Sequence, residues 1–291
     1  MKIALSTYSL QRRLEERTLT QFGCIAKAKE MGFDAIEFVG IQPHDGSSAG
    51  EYAARLREEC ERLEMPVSNY TVSADFLRCE SVEREVERVR GEVDIAALLG
   101  ATSMRHDATV GYPEGARGRR GFEDCLPVLA DACRQVTQYA KTKGVRTMVE
   151  NHGFFCQDSE RVEALVNTVA DDNFGLLCDM GNFLCADEDP VHAFSRVAPY
   201  AFYAHAKDFH IKSGMGPDPG DGFFRTRGGN YLRGAVIGHG EVPVLQCLQI
   251  LKSAGYTGDF AIEFEGIEEP ERGISIGLDN LRRFIREVYG Q

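Results

Sequence analysis

FEDCLPVLADACRQVTQYAKTKGVRTMVEN, residues 122–151, holds the alternation that decides the fold. Apolar residues at helical spacing run through 122–143, and Gly144 stands where a left-handed cap would close a helix. The short apolar run at 146–151 then ends on a carboxylate, Glu150. The same order recurs in both directions. Apolar or β-branched runs at 3–7, 35–39, 67–71, 103–107, 146–151, 174–179, 202–207 and 260–265 predict eight strands. Helical patterns at 20–31, 51–64, 82–99, 122–143 and 244–254 fall between them, with Gly32, Gly100, Gly144 and Gly255 among the closing residues. Each unit of roughly 30 to 40 residues has the size of a right-handed βα crossover. Eight such units predict one α/β domain over 1–291, a (β/α)8 TIM barrel. Residues 212–241, rich in Gly, Pro and Asp, interrupt the rhythm and read as a long loop excursion.

Composition narrows the function. The chain has 291 residues, 43% of them hydrophobic, with 33 Lys and Arg against 45 Asp and Glu for a net charge of −12. Nucleic acid and anionic membranes attract basic surface, so neither is expected as a partner. No apolar run reaches the roughly 18 residues that a membrane span needs. The N-terminal MKIALSTYSLQRR alternates like a strand and is read as the first element of the fold, not a signal peptide. Nine cysteines are scattered without a CxxC pair, the pattern of buried thiols in a reducing compartment, and a cytoplasmic location is expected.

Barrel enzymes draw their active sites from the C-terminal ends of the strands. Four consecutive predicted strands close with TMVENHG (147–153), LLCDMGN (176–182), FYAHAKDFH (202–210) and FAIEFEG (260–266). They supply Glu150, Asp179, His205 and Glu263. One acidic residue at a strand end is more often a helix cap or a solvated loop residue. Four polar groups at matching positions would repel one another or be costly to desolvate unless a cation joined them. Oxygen-rich sites with one nitrogen suit a divalent ion, here Mn²⁺ before Mg²⁺, Co²⁺ or Zn²⁺.

These motifs carry a resemblance. ENHG, CDMGN, HAKD and GYTGDFAIEFEG, with KIALSTYSL at the start and GFDAIEF in the second unit, resemble the xylose isomerase-like barrel superfamily, the sugar phosphate isomerases and epimerases. The resemblance covers essentially the whole chain. It implies a single divalent ion held by Glu150, Asp179, His205 and Glu263, with Glu150 and Glu263 as the catalytic pair that exchanges a proton through an enediolate. It also implies a sugar, keto-sugar or keto-inositol as the small-molecule substrate. The chain departs from the pattern at Asn182, where such epimerases place a substrate-binding His; Asn can bind a hydroxyl but does not titrate.

His152, Asn182, Lys207, His106, Glu37 and His239 are the candidate substrate-binding residues. Each sits at or just beyond a predicted strand end, apart from His239 in the IGHGE turn. His210 and Glu265 are further candidates for the metal site. The same constellation suits a metal-dependent dehydratase or lyase of a keto-cyclitol or a dehydroshikimate-like compound. Endonucleases acting at abasic sites share the barrel, but they need extra histidines where this chain has Glu37, Asn69 and Tyr70. A noncatalytic sugar-binding protein would not need both glutamates. A homo-oligomer is compatible with Phe223, Phe224 and Tyr231 in the excursion.

Overall fold

A closed ring of eight parallel strands accounts for every strand read from the sequence. In the computed structural model, which describes residues 1–290, these are β1 (Ile3–Ser6), β2 (Ala35–Val39), β3 (Val67–Val72), β4 (Ser103–His106), β5 (Arg146–Glu150), β6 (Phe174–Asp179), β7 (Ala201–Ala206) and β11 (Phe260–Ile262). Their order around the barrel is β1, β11, β7, β6, β5, β4, β3, β2.

Helices α1 (Gln11–Glu15), α2 (Gln21–Glu30), α3 (Ala49–Arg62), α4 (Val82–Leu99), α5 (Phe122–Thr142), α6 (Ser159–Val169), α7 (Pro190–Val197), α8 (Val244–Ser253) and α9 (Pro270–Tyr289) follow the strands. Local chemistry sets many of their ends. The Ser48 hydroxyl accepts from the Glu51 amide while the Glu51 carboxylate accepts from the Ser48 amide, a reciprocal cap on α3. Gly100 closes α4 at φ +80°, a left-handed conformation that a Cβ would strain.

Side-chain parity separates two environments. Ala4, Ala35, Met148, Leu177, Tyr203 and Ala261 pack against one another inside the barrel. Their strand neighbours face the surrounding helices and join the main core. Successive side chains on a strand alternate faces, so residues two positions further along return to the barrel axis at its C-terminal mouth. On β2, β5, β6 and β7 those positions are Glu37, Glu150, Asp179 and His205, and the position directly after β11 is Glu263.

The excursion is more ordered than its composition predicts. Strands β8 (Asp208–Lys212), β9 (Phe224–Arg225) and β10 (Tyr231–Ala235) form an antiparallel sheet in the order β8, β10, β9. It is tied to neighbouring loops at several points. The Arg227 guanidinium grips the Asp158 carboxylate with both Nη atoms. Asp187 accepts from the Thr226 hydroxyl at 2.7 Å and from the Asn230 amide at 2.9 Å. These cross-links come from residues distant in sequence, which periodicity does not register.

Candidate metal centre and active site

The four strand-end residues meet. One donor atom from each of Glu150, Asp179, His205 and Glu263 lies within 4.8 Å of the other three, and all four residues are buried. His205 Nδ1 stands 3.7 Å from Glu150 Oε1, 3.7 Å from Asp179 Oδ2 and 3.6 Å from Glu263 Oε2. These spacings are too long for hydrogen bonds. They approach the roughly 3.4 Å that separates tetrahedral ligands on bonds of about 2.1 Å. His205 Nδ1 and Asp179 Oδ2 are buried with no hydrogen-bond partner among the described residues. Buried polar atoms without partners that converge on one point suit a cation, so the donor set fits a divalent ion.

The outer nitrogen of His205 is occupied. Nε2 lies 3.0 Å from both carboxylate oxygens of Glu37, which is fully buried and receives a further bond from Asn69. Donation of Nε2–H to Glu37 leaves the Nδ1 lone pair pointing at the carboxylates. Glu37 therefore backs the histidine instead of lining the cavity, and the structure corrects its expected place as a substrate binder.

Two cations balance the acidic floor. Lys207 Nζ lies 2.5 Å from Glu263 Oε2, 3.5 Å from Asp179 Oδ2 and 3.1 Å from Asn182 Oδ1. Arg105 reaches Glu150 Oε2 through Nε at 2.7 Å and Asp107 Oδ1 through Nη2 at 2.8 Å. Burial favours the neutral forms, yet Asp179 and Glu263 hold Lys207 well above its ordinary pKa. In turn Lys207 and His205 hold Glu263 well below the usual carboxylate value against the opposing effect of burial. Burial raises Glu150, with Arg105 and His205 opposing it. Asp107 sits at about 2 despite its burial, because Arg105 and His152 stabilise its charge.

Above this floor opens a cavity of about 1190 Å³. Its walls include Glu150, His152, Asn182, Lys207, Glu263 and Glu265. His152 Nδ1 lies 2.8 Å from Asp107 Oδ1, and the ring is half exposed. Asn182 uses both ends of its amide, donating to Glu150 Oε1 at 2.9 Å and accepting from Lys207.

Other candidates lie elsewhere. His106 is fully buried on the outer face of β4, edge-on to Phe76, with Nδ1 at 2.8 Å from the Asp107 carbonyl. His239 is exposed in a turn whose Gly238 and Gly240 amides are held by Asp208. Neither lines the cavity, which corrects both expectations. His210 faces Glu241 at 3.5 Å and is not in the cluster. Glu265 borders the cavity, accepts from the Tyr8 hydroxyl and lies outside the four-residue set.

Arg105 and Asp107 escaped the sequence reading, although a signal was present. In SMRHD (103–107) the two-residue period sends Ser103, Arg105 and Asp107 to one face and Met104 and His106 to the other. A reading that takes the terminal histidine at face value picks the wrong side.

A model of the xylose isomerase-like TIM barrel matches residues 25–284. The chain belongs to this family. Among curated proteins, YihM of Escherichia coli, itself uncharacterised, is 26% identical over 151 residues, 52% of this chain and 40% of that protein. Inosose dehydratase 1 of Bacillus cereus is 25% identical over 180 residues, 56% of this chain and 54% of the dehydratase. The chain spans about half or less of the length of each of these curated relatives. Two solved structures show the same fold. An L-ribulose 3-epimerase superposes with TM-score 0.73 at 17% identity, covering 99% of this chain and 95% of the epimerase. The IOLI protein with a bound zinc atom superposes with TM-score 0.71 at 17% identity, covering both chains completely at 100%. The family includes isomerases, epimerases and dehydratases, and a divalent metal accords with the buried acidic and histidine cluster. Among the described residues no helix is long and apolar enough to cross a membrane.

Proposed function

We propose that the chain is a divalent-metal-dependent isomerase or epimerase of a sugar, keto-sugar or keto-inositol, acting through an enediolate. The observation that carries this reading is the convergence of Glu150, Asp179, His205 and Glu263, with Nδ1 of His205 and Oδ2 of Asp179 left without partners. An ion held by these four residues, Mn²⁺ by preference, would polarise a substrate carbonyl and acidify the neighbouring C–H.

The protein's own groups supply the proton transfers. Glu150 closes β5 and Glu263 directly follows β11, the outer members of the run β5, β6, β7, β11, so they flank the cluster from its two sides. One carboxylate takes the proton and the other returns it from the opposite side. Asn182 donates to one oxygen of Glu150 and Arg105 forms an ion pair with the other, while Lys207 steadies Glu263 and balances negative charge as it develops. His152 and Asn182 line the wall where substrate hydroxyls would bind.

Dehydration of a keto-cyclitol or dehydroshikimate-like compound is the second reading. It is favoured by Lys207, an ammonium at the floor placed to protonate a leaving hydroxyl, and by the Asp107–His152 pair as a third acid–base group. Chelator-stripped protein reloaded with Mn²⁺ and offered ketohexoses, ketopentoses and inososes in D₂O provides the test. Deuterium entering a carbonyl-adjacent carbon with skeletal mass otherwise unchanged supports isomerisation or epimerisation, and a product lighter by one water supports dehydration. No deuterium in any substrate shown to bind overturns both.

A further inference from the structure

The large cavity has a cation that the acidic floor does not use. Four Lys or Arg residues line it: Arg78, Arg88, Arg105 and Lys207. Arg88 is matched by Glu85 at 2.7 Å, Arg105 by Glu150 and Asp107, and Lys207 by Glu263. Arg78 differs. Its Nε donates to the Gly111 carbonyl and its Nη2 to the Tyr112 carbonyl, each at 3.1 Å. Among the described residues it has no carboxylate partner: its side-chain acceptors are neutral carbonyls, and the residue lines the cavity while remaining exposed to solvent.

The guanidinium is held by a brace between two loops. Asp75 Oδ1 accepts from the Arg78 amide at 2.9 Å and from the Thr109 hydroxyl at 2.7 Å. Thr109 Oγ1 in turn accepts from the Gly111 amide at 3.0 Å. Gly111 has φ +109°, and a Cβ there would press on the Phe155 ring at 3.1 Å. These bonds fix the carbonyls that orient Arg78. Along the same connection Arg117, Arg119 and Arg120 are exposed and make no hydrogen bond or ion pair among the described residues.

We propose that the substrate carries an anionic group, a carboxylate or a phosphate monoester, and that Arg78 receives it at the cavity wall while the carbonyl end faces the metal cluster. The proposal rests on the enolising reading of that cluster and adds the substrate's charge and orientation. The floor, crowded with carboxylates, repels an anion; Arg78 offers the unused N–H groups of a planar fork suited to carboxylate or phosphate oxygens. An arginine that merely braced two loops would change stability and leave the choice between charged and neutral substrates untouched.

The test uses the full chain loaded with Mn²⁺ and solvent-deuterium incorporation as the rate. D-ribulose is paired with D-ribulose 5-phosphate, and a keto-inositol with 3-dehydroshikimate, so that the phosphate and carboxylate arms are read separately. Wild type is expected to prefer the anionic member of one pair by at least tenfold in kcat/KM. Arg78→Gln should bring that ratio toward one, a loss of about 10- to 100-fold that falls chiefly on KM. Arg78→Lys, which keeps the charge and loses the fork, should fall between and carries the comparison if the Gln variant does not fold. A ratio unchanged in the variants, or neutral members preferred in both pairs, overturns the proposal. If no compound exchanges, the enolising reading fails and the anion site is judged by binding. Chelator-stripped protein is then titrated calorimetrically with inorganic phosphate and with acetate. Saturable binding in wild type that is lost in Arg78→Gln sustains the site; no binding, or equal binding in both proteins, removes it.

Discussion

Glu37 meets the Nε2 edge of His205 with both carboxylate oxygens at 3.0 Å, while Nδ1 of the same ring faces three other carboxylates. The glutamate thereby selects which nitrogen carries the proton. Glu37→Gln should disturb that choice, because an amide can donate to Nε2 and push the proton to Nδ1. Loss of such a supporting partner costs about 10- to 100-fold in metal affinity. Competition with a fluorescent chelator is the measurement, and unchanged affinity would detach Glu37 from the metal site.

Metal affinity should rise with pH. Burial works against the imidazolium, but Glu37 and Glu263 hold the His205 pKa well above its ordinary value in the metal-free chain. The ion competes with a proton on this ring throughout the range below that raised pKa. The apparent association constant should therefore increase up to about tenfold per pH unit between roughly pH 6 and 8, with proton release on binding. Calorimetry in buffers of different ionisation enthalpy reads the proton count, and a pH-independent affinity contradicts the expectation.

Glu150→Gln and Glu263→Gln should each reduce turnover by about 10² to 10⁴-fold, the worth of a general acid or base. In an epimerase the two variants should differ in which epimer still washes in solvent deuterium. A variant that retains its metal and turns over normally would end the paired-carboxylate mechanism.

Arg105 compensates Glu150 and Asp107 at a site where all three side chains are 10% exposed or less. Arg105→Met leaves those charges without their partner, a change that typically costs about 3 to 5 kcal/mol. Denaturant unfolding should show the larger loss in EDTA and a smaller one with Mn²⁺, since the cation takes over part of the compensation. Equal losses in the two conditions would place Arg105 outside the charge balance of the centre.

His106 should contribute to acid lability. Burial lowers its pKa from 6.5 to about 4. Between these values the unfolded chain binds a proton that the native chain refuses, so stability rises with pH across that window and is lost as pH falls through it. Relative to pH 7.5, the group's contribution is lower by about 2 kcal/mol at pH 5. His106→Phe, which keeps a ring between Phe76 and Phe174, should be no more stable than wild type at pH 7.5 and should gain on it by that amount at pH 5. Parallel stability curves for the two proteins would exclude His106 as the source.

The alternation of apolar runs and amphipathic stretches was enough to determine the barrel, because each strand must bury one face inside the ring and the other under a helix. Strand-end position likewise brought out Glu150, Asp179, His205 and Glu263, since parallel strands deliver equivalent positions to one mouth. What the chain's order could not express is the facing of side chains across the barrel. Glu37 and His205 are 168 residues apart and meet only when the ring closes. Arg105 points inward and His106 outward because the β4 pleat is registered against β3 and β5, and Arg78 acquires its neutral cradle only where two loops cross. Periodicity records which face of an element is buried; tertiary closure alone decides which charge that face will meet.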